Sequence, residues 1–161
     1  MRIVVQVNPR VEDPRAIAMI ARGFLNGVIL QNRLLIRAGL VPQLYGSHIL
    51  YRPEPWAGRF EEFADALVVA ERGWGDCDDL VAYRCAEIIE AGGMAKPKVY
   101  WRTSCEQCEV SFPRAVPQCP RCGTQTSRHF HGELRIFAKR GSRWVPTDNV
   151  EDPSRFLGMH P

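Results

Sequence analysis

Arg72-Gly73-Trp74-Gly75-Asp76-Cys77-Asp78-Asp79-Leu80-Val81 decides the fold, because a glycine-rich turn here delivers the chain into a helix whose first turn holds a cysteine. Asp76 is an N-cap residue type with Asp79 three positions on, and Leu80, Val81, Ile88 and Ile89 supply a buried face. The Cys77 sulfur is therefore expected at a helix N-terminus. Unpaired backbone N–H groups and the positive end of the macrodipole favour a thiolate there, and a thiolate is the form that attacks carbonyl carbon. Asp76, Asp78 and Asp79 oppose a further negative charge, so a neighbouring imidazolium is what the site needs. Cys85, eight positions along the helix, reads as a small buried residue.

The imidazole is sought in His131-Gly132-Glu133-Leu134-Arg135-Ile136, where alternation puts His131, Glu133 and Arg135 on one face and Phe130, Leu134 and Ile136 on the other. Gly141-Ser142 turns this strand back onto Arg143-Trp144-Val145, and counting across a two-residue loop sets His131 opposite Asp152. A longer loop from Lys139 brings Asp148 closer instead, since a slip of two residues keeps the face and changes the partner. Either acid can orient the ring and stabilise its charged form. His129 shares the face and competes with His131.

Upstream, Ile3–Val7 reads as a short strand and Asp13-Pro14 as a helix start. Ile17, Ile20, Phe24, Val28 and Leu35 then mark one apolar face of a helix running to about Ala38, with Gly39 stopping it. Leu44 to Trp56, with Pro53 and Pro55, reads as an extended or looping connection. Phe60 to Glu71 is expected to be a second helix with Phe63, Leu67 and Ala70 inward. Strands are expected over Lys98–Thr103, His129–Ala138 and Arg143–Thr147. Helices first and a small antiparallel sheet after them make an α+β chain.

The 161 residues, 45% of them apolar, suffice for one domain with its own core, expected over 1–161. A net charge of +3 is too small to announce a nucleic-acid or membrane partner. The N-terminal apolar run is too short for a signal peptide, and Arg22, Asn26, Gln31 and Arg33 interrupt the next segment, so a protein kept inside a cell is expected. There, thiols persist. Cys105-x-x-Cys108 and Cys119-x-x-Cys122, ten residues apart, are accordingly read as four ligands of one structural Zn ion in a ribbon over 104–128, with Pro120 and Gly123 shaping the second knuckle. Four ligands leave no open position for water. Arg114, Arg121 and Arg128 offer charge, but Phe112 alone offers stacking, so the ribbon is expected to brace the chain or contact protein rather than nucleic acid.

Gly75-Asp76-Cys77-Asp78-Asp79-Leu80-Val81-Ala82, His131-Gly132-Glu133-Leu134 and Gly141 to Asp148 with Glu151-Asp152-Pro153-Ser154 together resemble the transglutaminase-like cysteine peptidase superfamily. The resemblance covers about Tyr45 to Met159, apart from the ribbon. Leu44-Tyr45 to Pro55, Gly73-Trp74-Gly75-Asp76-Cys77-Asp78-Asp79-Leu80 and the ending Glu151 to Met159 are similar, more narrowly, to small proteins of this type from tailed bacteriophages. It implies a papain-like core, with helices packed on a small antiparallel sheet, Cys77 as nucleophile, His131 as base and acid, and an aspartate as orienter. Trp144 to Asp148 fits the superfamily's spacing and Asp152-Pro153-Ser154 its ending; Asp152 is preferred and Asp148 is the alternative. The implied activity is acyl transfer from an amide of a protein or peptide, to water or an amine, in the host cytoplasm or the virion. A catalytically inactive phage protein that contacts phage or host proteins through the ribbon is the rival. Relatives that release glycans from asparagine carry their CxxC motifs before the nucleophile, which ranks that activity lower.

Overall fold

Two helices lie against one face of an antiparallel sheet, and the residues that join them are those whose side chains repeat at helical spacing. The computed structural model describes residues 2–6, 14–53, 60–105, 107–108, 110–112, 116–153 and 157. In chain order the elements are β1 (Arg2–Gln6), α1 (Pro14–Arg37), a 3-10 turn (Leu44–Gly46), β2 (Leu50–Tyr51), β3 (Phe60–Ala64), α2 (Ala66–Arg72) and β4 (Trp74–Gly75). They continue with α3 (Cys77–Glu90), β5 (Met94–Cys105), β6 (Val110–Phe112), β7 (Ser127–Arg140) and β8 (Arg143–Glu151). The four-stranded antiparallel sheet has the order β6-β5-β7-β8, while β1 pairs with β3 and β2 with β4 in two-stranded ladders. This mixture of helix and strand is compatible with α+β.

The main core joins Ala21, Leu25, Val28 and Ile29 of α1 to Val81, Ala82, Cys85 and Ala86 of α3 and to Ala95, Val99 and Leu134 of the sheet. A second cluster, with Leu35, Leu44, Ile49, Val69, Leu80 and Tyr83, fills the space beneath α2 and the 3-10 turn. Asn32, wholly buried, ties the two: its Oδ1 accepts from Ala66 N at 2.7 Å. Both long helices end on glycine in the left-handed region, Gly39 and Gly92. At Gly39 the bonds Leu40 N to Leu35 O and Gly39 N to Ile36 O close a Schellman motif. Arg33 and Arg37 of α1 grip Glu90 at the end of α3, at 2.6 Å and 2.9 Å, fixing the angle at which the two helices meet.

Two sequence expectations need correction. Residues 60–71 are not one helix: Phe60–Ala64 pairs antiparallel with β1, Phe63 opposite Ile3, and only Ala66–Arg72 is helical. The three-residue spacing of Phe60 and Phe63 suits a helix, but pairing with β1 overrides it, and Asp65 is an N-cap whose side chain accepts from Val68 N, so the helix starts after it. On α1, Ile20 is exposed and Leu25 takes the core position, because the buried stripe runs Ala21, Leu25, Val28, Asn32, Leu35. Ile17 and His129 have backbones in α1 and β7, but their side chains, like those of Asp148 and Arg128, lie outside the described residues, as do Pro55, Trp56, Arg114 and the ending's Ser154-Arg155-Phe156 and Gly158-Met159.

Leu25→Ala is expected to cost about 2–5 kcal/mol, against less than about 0.5 kcal/mol for Ile20→Ala, in urea unfolding. Equal losses would mean that the buried face of α1 is the one containing Ile20.

Candidate active site

Gly132 is where the sheet meets the start of α3. A Cβ at that position would lie 3.0 Å from Cys77 O and 3.2 Å from Asp78 Cα, so any side chain there would push the strand and the helix start apart by a few tenths of an ångström. The approach places Gly132 N 3.3 Å from Cys77 Sγ, donating to the sulfur. Asp76 caps α3 as its sequence suggests, its side chain accepting from Asp79 N at 3.3 Å. Cys77 thus has the N–H of a neighbouring strand in addition to the terminus of its own 14-residue helix, and both favour a negative sulfur.

His131 precedes Gly132, and its Nε2 lies 3.0 Å from Asp152 Oδ2, with both residues buried. The route to that contact differs from simple hairpin counting. The turn is Gly141-Ser142 with Arg140 opposite Arg143, but a bulge between Arg135 and Phe137 changes the register, so that Leu134 faces Glu151. Three β8 residues, 147–149, span the place of Ile136 alone, and Thr147 Oγ1 stitches the bulge by donating to Ile136 O at 2.8 Å. Extending that register sets Asp152 opposite Glu133 rather than His131. Because the slip is two residues, the face is kept and Asp152 still reaches the histidine diagonally.

Asp152 is held there through its neighbour. Glu151 accepts from Arg84 Nε at 2.9 Å and from the Tyr45 hydroxyl, while Arg84 also pairs with Glu87 at 2.9 Å and covers the Tyr45 ring. Arg84 lies two turns beyond Cys77 on α3, so one helix both carries the sulfur and anchors the strand end that carries the carboxylate. Asp79 belongs to the frame: it accepts from Ala64 N at 2.7 Å and pairs with Arg72, whose guanidinium also holds Glu62 at 2.7 Å and stacks on Trp74. Its charge near Cys77 is thereby compensated.

Three neighbours complete the surroundings. Tyr51 pairs with Gly75 across β2 and β4; burial first, then the negative charges of Cys77, Asp76, Asp152 and Asp78, raise its phenol above the ordinary value and keep it a donor. Tyr100 lies opposite His131 and edge-on to it, with 5.5 Å between ring centres. Glu133 stands 4.0 Å from His131 Nε2 and accepts from Tyr100 and from Lys98, the latter at 3.1 Å. Burial opposes its ionisation, but Tyr100 and Lys98 outweigh that and hold its carboxyl below the usual value. Strand alternation places Glu133 beside His131; Tyr100 and Lys98 emerge only from the β5–β7 register. Cys85 is wholly buried, and burial pushes its thiol up to about 12.

The four paired cysteines converge at the far end of the β5–β7 hairpin. Cys105 ends β5, and Cys119 starts a knuckle closed by Gly123 N to Cys119 O at 2.8 Å, with Gly123 at φ +73°. All four sulfurs lie within 4.8 Å of one another, Cys105 and Cys122 at 3.5 Å, a set that can hold a metal ion.

Comparison with protein families, curated proteins and solved structures gives no match. The geometry has to carry the reading of this chain. Among the described residues, no helix is long and apolar enough to cross a membrane.

Gly132→Ala is expected to force β7 away from α3, at about 1–3 kcal/mol in denaturant unfolding. An unchanged midpoint would mean that the strand and the helix start are not in contact.

Proposed function

We propose that the chain is a cysteine-dependent acyl-transfer enzyme acting on amide bonds of proteins or peptides, with a papain-like core of the transglutaminase-like type. One observation carries the reading: the imidazole that meets a buried carboxylate at 3.0 Å belongs to the residue directly before the one whose N–H holds the Cys77 sulfur. Nucleophile, base and orienter are the three roles such chemistry requires. Cys77, His131 and Asp152 fill them.

Cys77 gives its proton to His131, and the thiolate attacks the carbonyl carbon of the amide. The oxyanion is held by the Cys77 backbone N–H and the Tyr51 phenol. As the C–N bond breaks, the imidazolium passes its proton to the leaving nitrogen, and a thioester remains on Sγ. Water or an amine, losing a proton to His131, then attacks the thioester. The C–S bond breaks, an acid or a new amide departs, and the proton returns to the sulfur. Asp152 keeps the ring oriented and offsets its charge through both halves of the cycle.

The cysteine cluster is proposed to hold one zinc ion in a structural role. Tetrahedral Zn–S bonds of about 2.3 Å place sulfurs roughly 3.8 Å apart, close to the 3.5 Å between Cys105 and Cys122. The ion would close the end of a hairpin that has no core of its own, and it takes no part in the acyl transfer. The likeness of the ending to tailed-phage proteins supports a phage-encoded enzyme working in the host cytoplasm or the virion.

At neutral pH a thiol-directed electrophile should label Cys77 first and leave Cys85 untouched. His131→Ala should lower amide turnover about 100- to 10,000-fold, the range lost with a general acid–base group. Labelling of Cys77 no faster than that of a free thiol would defeat the proposal.

A further inference from the structure

We propose that His131, Glu133 and Asp152 form a second cation site, specific for a divalent transition metal such as zinc, and that filling it switches the Cys77 site off. The binding half stands on the cluster's own geometry, and the switch half rests on the acyl-transfer reading. One nitrogen and two carboxylate oxygens, within 4.8 Å of one another on buried residues, converge on one point. A tetrahedral ion with bonds of about 2.0–2.1 Å places its ligands roughly 3.3–3.4 Å apart. His131 Nε2 lies 3.0 Å from Asp152 Oδ2 and 4.0 Å from Glu133 Oε1, and the carboxylate oxygens lie within 4.8 Å of each other, so the site admits the ion once the carboxylates close in by roughly an ångström or less.

Lys98 is the charge that opposes a cation here, and its place removes the objection. Its Nζ binds Glu133 Oε2, leaving Oε1 toward His131, where the Tyr100 hydroxyl donates to it. A carboxylate gripped in this way keeps both outer contacts when Oε1 takes a metal, which is the arrangement that orients ligating carboxylates in metal sites. A nitrogen with two oxygens suits zinc and its neighbours better than magnesium or calcium, which prefer all-oxygen shells.

The switch follows from the tautomer. In the acyl-transfer arrangement Nε2 carries a proton donated to Asp152, which leaves the other ring nitrogen as the base. A metal on Nε2 needs the lone pair there, so the ring proton moves to Nδ1. The imidazole can then take no proton from a thiol, and Asp152 is withdrawn from its orienting role.

The test uses the full chain with its cysteine cluster already loaded and Zn2+ as the probe. Native mass spectrometry should count one more ion on the wild type than on Glu133→Gln, and equal counts would overturn the site. On the wild type, Co2+ added after the cysteines are filled should give visible bands without new thiolate charge transfer; a rise in thiolate charge transfer with this second ion would assign it to Cys77 and overturn the ligand set. Alkylation of Cys77 should slow at least tenfold with the second ion and recover on its removal. Unchanged or faster alkylation would overturn the switch. The ion count does not depend on turnover of any substrate, so failure of the acyl-transfer reading and failure of the site are separately visible.

Discussion

Contact between the first turn of α3 and β7 at Gly132 is the constraint on which the rest of the site depends. It is a packing constraint before it is a chemical one: the strand backbone reaches the helix backbone because residue 132 has no Cβ, leaving 3.0 Å between Cys77 O and the position a Cβ would take. Once the two are in contact, a strand N–H meets the sulfur, and His131 is the residue that directly precedes that N–H on β7. The core of α1, α3, β5 and β7 fixes the helix against the sheet over its whole length. Arg84 and Glu151 then fasten β8 to the same helix, bringing Asp152 to the ring.

Charge around the sulfur is managed rather than avoided. Four acidic side chains, Asp76, Asp78, Asp79 and Asp152, lie buried in this region. Asp76 is consumed as a helix cap, and Asp79 by Arg72 and the Ala64 N–H. Arg72 is itself packed on Trp74 of the turn before Cys77, so the tryptophan and both glycines of the motif serve the frame as much as the chemistry. Gly75 illustrates this, since a Cβ there would meet Leu80 Cδ2 at 3.1 Å.

Much of this is legible in the sequence where local rules act alone. The cap at Asp76, the glycine stop after α1 and the alternation of β7 follow from chemistry within a few residues. What was not legible depends on partners distant in sequence. Phe60–Ala64 is a strand because β1 pairs with it, and nothing inside the segment says so. Asp152 reaches His131 through a bulge built by Thr147, a feature that two-residue counting does not anticipate, although the even slip spares the face. Ile20 and Leu25 exchange roles because the α1 stripe is set by α3. Glu133 reads from alternation, whereas its grip by Tyr100 and Lys98 needs the register of β5.

Cys105 ends β5 and the other three paired cysteines lie between β5 and β7, whereas His131 and Gly132 lie within β7, so the proposed bracing and the proposed chemistry share a sheet without sharing residues. The most direct measurement is mass spectrometry of the intact chain after brief reaction with an activated acyl donor, followed by peptide mapping. One acyl group on Cys77, removable by hydroxylamine and absent from His131→Ala, is the predicted result. Acylation of other residues only, or equal acylation of Cys77 without the histidine, would contradict a sulfur activated at the α3–β7 junction.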